Sequence, residues 1–107
     1  MMENQEKIAQ LEAYKLKERF ILDDWEDREI ESPSEEIIEL MRKEVLKFTD
    51  FLIGQLAINV SNLQTQVQLY FNAWDNEDFD QDQTEFIVEI EYEAMRIAGL
   101  KIEQLTI

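Results

Sequence analysis

Carboxylates are the only side chains in this sequence that are numerous enough to do chemistry together. The 107 residues include 25 Asp and Glu against 10 Lys and Arg, with no His and no Cys. Zinc, haem and non-haem iron sites use His or Cys ligands, and Ser-His-Asp and Cys-His nucleophile systems need these residues too. All of these sites are therefore excluded. The activities that carboxylates can still support are binding of a cation and binding of a basic partner, and no cofactor is predicted.

One set of carboxylates has the spacing of a calcium loop. Asp78, Asp80 and Asp82 alternate along the chain, and Glu89 stands at the twelfth position counted from Asp78. Hard cations collect oxygen ligands at positions 1, 3, 5 and 12 of an EF-hand loop. Gln83 stands where such a loop needs Gly for its sharp turn. The alternative is that these acids cap the helix that follows and complement its dipole.

A second set stands at the start of a predicted helix. Glu35, Glu36 and Glu39 resemble half of the carboxylate motif in helical, magnesium-dependent nucleotide pyrophosphohydrolases of the MazG type. That resemblance implies a second carboxylate pair on a neighbouring helix, which would share the metal. The one literal match, Glu77 with Asp80, falls in a predicted loop. In the alternative reading, the first two acids only stabilise the first turn of a helix.

The acidic residues are concentrated in two segments. The net charge is −15, and residues 61–107 hold 10 acids against 2 bases. Segment 75–93 has nine acids and no base, and segment 23–31 is the other acidic run. If the fold brings both segments to one side, the resulting field attracts basic proteins and repels nucleic acid and anionic lipid. The alternative is that two separate solvated loops keep the protein soluble.

Apolar spacing predicts an all-α fold, an antiparallel four-helix bundle in a single domain over residues 1–107. The first three helices are expected at about 4–26, 33–57 and 62–74. Ser32 is the predicted cap of the second helix, with Pro33 at its first position, and Ser61 with Gln64 forms a predicted capping box for the third. The expected large core residues are Trp25, Phe48, Phe51, Phe71 and Trp74.

The last element has two interpretations. Residues 88–93 alternate apolar and acidic side chains as a half-buried strand does, whereas Phe86, Ile90, Ala94 and Ile97 fit one face of a helix. We favour a helix, because its residues have high helix propensity and Gly99 followed by Leu100 is typical of a helix C-terminus. Residues 101–107 are expected to form a short turn or a small strand.

Several of these residues, in their order along the chain, resemble a family of short, acidic, uncharacterised bacterial proteins. The residues that carry the resemblance are Leu11, Glu12, Tyr14, Lys15, Arg19, Phe20, Ile21, Asp23, Asp24, Ser32 to Glu36, Asp78 to Asp80, and Ile97 to Leu100. The family brings no assigned activity, and the Gln-rich stretch 81–83 departs from it. Immunity proteins of bacterial toxins are comparable small acidic proteins by analogy.

The sequence therefore predicts a protein that works by binding and is not an enzyme. The expected partner is a protein with a basic surface, engaged as by an immunity protein or inhibitor, and the oligomeric state is left open. The residues expected to contact it are Asp75, Glu77, Asp78, Asp80 and Asp82 as charge complements, with Phe79 as an apolar anchor. With no apolar run of membrane-spanning length and no secretory signal at the start, a cytoplasmic location is expected.

Overall fold

The part of the chain that the structure describes is all-α and has five helices. A computed structural model describes residues 3–105, and in that range there is no strand. The helices are α1 (Asn4–Lys15), α2 (Leu22–Asp27), α3 (Glu35–Ala57), α4 (Leu63–Ala73) and α5 (Gln81–Ile97), followed by one 3-10 turn (Ile102–Gln104). The predicted all-α bundle is confirmed, and the expected C-terminal turn is this 3-10 turn. None of the helices described is long and apolar enough to cross a membrane.

The prediction of one continuous first helix over residues 4–26 was wrong. The chain leaves helical geometry after Lys15, and Phe20 adopts a left-handed backbone conformation with φ of 61°. Phe20 and Trp25 are both buried in one cluster with Phe86. In a continuous helix these two side chains would point about 140° apart. The break is what lets both of them reach that cluster.

The other helix starts also differ from prediction in detail. Ser34, not Ser32, caps α3, and its hydroxyl accepts a hydrogen bond from the Ile37 amide at 3.4 Å. The predicted capping box at Ser61 does not form, because α4 begins after Asn62. The Gln64 amide instead exchanges two hydrogen bonds with the backbone of Lys101. It thereby ties α4 to the segment after α5.

The last element is a helix, as favoured, and it starts earlier than expected. α5 begins at Gln81, inside the acidic stretch, and the strand alternative for residues 88–93 is excluded. The predicted C-terminus is confirmed. Gly99 has a φ of 87°, and the Leu100 amide donates to the Met95 carbonyl, which is the hydrogen bond of a Schellman motif.

The four longer helices alternate in direction. The Asn4 side chain at the start of α1 donates to the Leu56 carbonyl near the end of α3, and the Tyr14 hydroxyl donates to the Ile90 carbonyl of α5. The Gln64 contact with Lys101 places the start of α4 beside the end of α5, so these two helices are antiparallel. α3 and α5 run in the same direction and pack directly on each other. The short helix α2 lies outside this alternation.

Two hydrophobic clusters form the core. The first joins α1, α3, α4 and α5, and the second joins α2, the Phe20 loop and the first halves of α3 and α5. Trp25, Phe48 and Phe71 are buried as predicted, whereas Phe51 and Trp74 are partly buried. Trp74 touches both clusters. It therefore anchors the loop between α4 and α5, where the acidic residues begin.

Candidate functional site

The fold brings the two acidic segments side by side, because α2 packs on α5. The Trp25 and Phe86 rings meet edge to face at 5.1 Å, and the Arg28 guanidinium lies 4.3 Å from the centre of the Phe86 ring. Arg28 also pairs with Glu89 at 2.6 Å. We define the acidic face by the exposed acids of α2 and of the first half of α5: Asp23, Glu26, Asp27, Asp82, Glu85 and Glu89. Arg28 lies between the two helices, and the charge of its guanidinium is largely balanced by the Glu89 carboxylate.

A groove of about 500 Å³ adjoins the acidic face and shares Glu85 and Glu89 with it. Its walls come from the end of α4, the following loop and one side of α5. The lining residues are Phe71, Trp74, Asn76, Thr84, Glu85, Val88, Glu89 and Tyr92, with no Lys or Arg among them in the described part of the chain. Aromatic and aliphatic walls with an acidic rim suit an apolar stem that ends in a positive charge.

The acids that the sequence singled out are divided between several roles. Asp75 and Asp78 line a separate small pocket of about 180 Å³ with Lys43 and Lys47 of α3. Asp75 also accepts a hydrogen bond from the Glu77 amide at 3.0 Å. These two aspartates therefore lie beside bases of the same chain, which reduces the field they present to a partner.

Three further predicted site residues lie around the start of α5. Asp80 is the N-cap: its carboxylate accepts from the Gln83 amide at 2.8 Å, and the Gln83 side chain accepts from the Asp80 amide at 3.1 Å. Phe79 packs against the second core cluster, so part of its ring serves the fold. Asp82, exposed in the first turn, is the one predicted site residue that lies on the acidic face.

The reciprocal cap at Asp80 leads to a stability prediction. Replacing Asp80 with Ala is expected to lower the free energy of unfolding by about 1 kcal/mol, because the first turn of α5 loses its cap. Asp78→Ala removes the same charge two residues earlier and is expected to change stability by less than about 0.5 kcal/mol. Urea denaturation of the two variants measures both. Equal losses would contradict the structural role assigned to Asp80.

The carboxylates with calcium-loop spacing do not converge. Asp80 and Asp82 belong to the start of α5, while Glu89 is held by Arg28. No group of three or more acidic side chains within residues 3–105 is arranged to hold a metal ion. The capping alternative describes Asp80, and the structure offers no ligand cluster for the calcium hypothesis.

The residues of the pyrophosphohydrolase hypothesis stand apart from other acids. Glu35, Glu36 and Glu39 are exposed at the start of α3, and Glu39 pairs with Arg42 at 2.6 Å. The hypothesis requires a second carboxylate pair within reach of the same metal. The described part of the chain provides no such grouping.

Sequence reasoning missed a pair of buried acids in the core. Glu91 of α5 is fully buried, and Glu44 of α3 is 8% exposed. The Tyr70 hydroxyl of α4 donates to Glu44 at 2.9 Å. Neither carboxyl oxygen of Glu91 has a hydrogen-bond donor among the described residues. A buried carboxylate without a donor is costly, so this pair must manage its charge by other means.

Burial and the neighbouring Glu44 carboxylate together raise the pKa of Glu91 well above its ordinary value, and the smaller effect of Lys47 opposes them. A carboxyl group that keeps its proton can donate it to a Glu44 oxygen. Burial and Glu44 also raise the pKa of Tyr70, which keeps that hydroxyl protonated as a donor. The three groups therefore form a polar layer inside an apolar core, in which burial and the Glu44 carboxylate favour the neutral form of Glu91 by raising its pKa.

The helical stripe of α5 contains the signal that could have revealed this pair. Ile87, Glu91, Ala94 and Met95 are all buried and follow the 3- and 4-residue spacing of one helix face. Of the predicted stripe, Phe86 and Ala94 are buried, whereas Ile90 and Ile97 are only partly buried, so the buried face is centred closer to Ile87 than predicted. Reading the stripe from Ile87 would have placed Glu91 on the core side.

Comparison with known proteins adds nothing to this picture. No family model, curated protein or solved structure matches the chain.

Proposed function

We propose that this protein is a non-catalytic binding protein that engages a basic surface of another protein through the acidic face. The observation that carries the proposal is the packing of α2 on α5, which brings two acidic segments next to each other. These segments are far apart in the sequence: Asp27 and Asp82, for example, are separated by 55 residues. An immunity protein or inhibitor that occupies a basic cleft works in this way. Charge complementarity of this kind raises association rates and selects the partner.

The distribution of the bases supports the same assignment. Lys15, Lys17, Arg19 and Arg42 line a different pocket, between the end of α1 and α3. Four of the eight bases of residues 1–60 therefore lie at this pocket, and none of them is among the residues that line the groove. A negative surface of this density repels the phosphates of nucleic acids and anionic lipids. We accordingly propose a protein partner, met in the cytoplasm.

The test compares two variants that carry the same net charge. The face variant D23N/E26Q/D27N/D82N neutralises four acids of the acidic face, none of which makes an ion pair or a helix cap within residues 3–105. The control variant E6Q/E18Q/E36Q/E103Q neutralises four exposed acids elsewhere. Wild type and both variants are immobilised and exposed to lysate of the source organism at low salt and at about 1 M salt, where the Debye length falls to about 3 Å.

A basic protein retained by the wild type and by the control variant, but lost from the face variant and at high salt, is the expected result. Circular dichroism of the three chains is the control for folding, and equal helicity is expected. Retention of the same proteins by all three chains, or retention that high salt leaves unchanged, would contradict the proposed function.

A further inference from the structure

We propose that the groove beside the acidic face receives an arginine side chain of the partner protein, stacked on an aromatic wall and paired with Glu85. This inference rests on the proposed function and identifies the group that is recognised. It starts from the composition of the groove, in which Trp74 and Tyr92 provide rings and Glu85 provides a negative charge, while the charge of Glu89 is already paired with Arg28. A volume of about 500 Å³ holds a long side chain together with part of the segment that carries it.

The chain already uses this chemistry on the other side of Glu89. Arg28 lies over the Phe86 ring at 4.3 Å and pairs with Glu89 at 2.6 Å, so one guanidinium is held between a ring and a carboxylate. The groove likewise has an aromatic ring, Trp74, and a carboxylate, Glu85, in its lining. Glu85 has one polar contact within the chain, the Gln81 side chain at 3.2 Å, and no ion pair in the described range.

Arginine fits this arrangement better than lysine does. Its guanidinium is planar, stacks on aromatic faces and donates in a fork that matches a carboxylate. Its aliphatic stem can lie on Val88 and the rings while the charge stays at the rim. Trp74 is held in place by both core clusters, so the wall that the arginine meets is already ordered.

The probes for the test are three helical peptides of one sequence that differ at a single pair of positions. Those positions carry arginine, lysine or citrulline, which has the shape of arginine without its charge. Binding is followed by calorimetry and by the fluorescence of Trp74. The second tryptophan, Trp25, is 1% exposed and cannot contact a peptide at the surface. Trp74→Phe identifies the source of the fluorescence change.

The arginine peptide is expected to bind most tightly, the lysine peptide about threefold more weakly and the citrulline peptide about tenfold more weakly. Glu85→Gln is expected to weaken arginine-peptide binding about fivefold. Its control, Glu93→Gln, removes the same charge from α5 outside the groove lining and is expected to change binding by less than about twofold. The Trp74 emission changes on saturation.

Equal weakening by Glu85→Gln and Glu93→Gln would overturn the inference, and so would binding without any change in Trp74 emission. If the face variant no longer binds the arginine peptide but Glu85→Gln binds it as tightly as wild type, the inference about the groove is wrong and the proposed role of the acidic face is retained. The lysate experiment tests the acidic face separately. If the lysate experiment fails but the arginine peptide still binds in a way that depends on Glu85, only the proposed function is contradicted.

Discussion

Replacing Glu91 with Gln is expected to raise the free energy of unfolding at pH 7 by about 1–3 kcal/mol. In the unfolded chain this carboxyl group is ionised at pH 7, because an exposed Glu has a pKa of about 4.3. In the folded protein it is fully buried without a hydrogen-bond donor. Folding must therefore either bind a proton or bury a charge. The amide avoids both costs and can donate to Glu44.

The effect of Glu91 has a defined pH dependence. Burial and Glu44 raise the pKa of Glu91 in the folded state, so the native protein binds more protons than the unfolded chain above about pH 4. Wild-type stability then falls as the pH rises, by up to about 1.4 kcal/mol per pH unit, until the native pKa is passed. Below about pH 4 Glu91 is protonated in both the native and the unfolded state, so stability no longer changes with pH through this group and is at its highest with respect to it.

Urea denaturation of wild type and Glu91→Gln between about pH 4 and about pH 8 tests both statements. The difference in unfolding free energy between the two proteins should be smallest at the acid end and grow towards pH 8. Glu93→Gln, two residues along on the exposed side of α5, removes the same formal charge and serves as control. A Glu91→Gln protein that is less stable than wild type at pH 7 would contradict the description of Glu91 as a buried carboxyl group with a raised pKa and no hydrogen-bond donor.

Removing the Trp25 ring is expected to have the largest effect on stability. Trp25→Ala should cost about 3–5 kcal/mol, because the indole is 1% exposed and packs against the Phe20 and Phe86 rings. Its Nε1 also donates to the Phe20 carbonyl at 3.1 Å, which holds the loop before α2. Losing the ring frees α2 from α5 and separates the two halves of the acidic face. Partner binding should weaken with it.

Leu22→Ala is the matched control, since Leu22 lies on the same short helix and is 63% exposed. It is expected to change stability by less than about 0.5 kcal/mol. Thermal unfolding of the two variants, followed by circular dichroism, separates them. A loss below about 1 kcal/mol for Trp25→Ala would show that α2 is not held to α5 as described.

The main helices could be predicted because their apolar stripes are long and regular. In α3, the spacing of Ile38, Met41, Val45, Phe48 and Leu52 defines one buried face, and all five side chains are buried. The end of α5 could be predicted from Gly99, because glycine has no Cβ and therefore adopts the left-handed backbone conformation of a helix C-terminus without steric cost. Local sequence determined these features, and tertiary contacts did not override them.

The features that could not be predicted depend on tertiary contacts. The break between α1 and α2 follows from the joint burial of Phe20, Trp25 and Phe86, which lie up to 66 residues apart. Nothing in the local sequence around Phe20, which is neither Gly nor Asn, indicates a left-handed backbone. The burial of Glu91 could not be predicted either, because charged residues are rarely fully buried.

The candidate site could be predicted in character but only in part by position. The sequence left open whether segments 23–31 and 75–93 lie on one side of the fold, and contacts between α2 and α5 bring parts of the two segments together. Residues 75–80 turned out to be divided between Lys43 and Lys47, a helix cap and the core. The groove wall formed by Trp74 and Tyr92 was not foreseen, because it exists only where two helices and a loop meet.

The most direct test of the acidic face is the footprint of the bound partner. Amide hydrogen exchange of this protein, free and bound to the basic protein captured by wild type, reports which amides become protected. Protection in α2 and in residues 81–92, with no change in α1, is the predicted result. Protection confined to residues 75–80, or to the pocket that contains Lys17 and Arg42, would contradict the account.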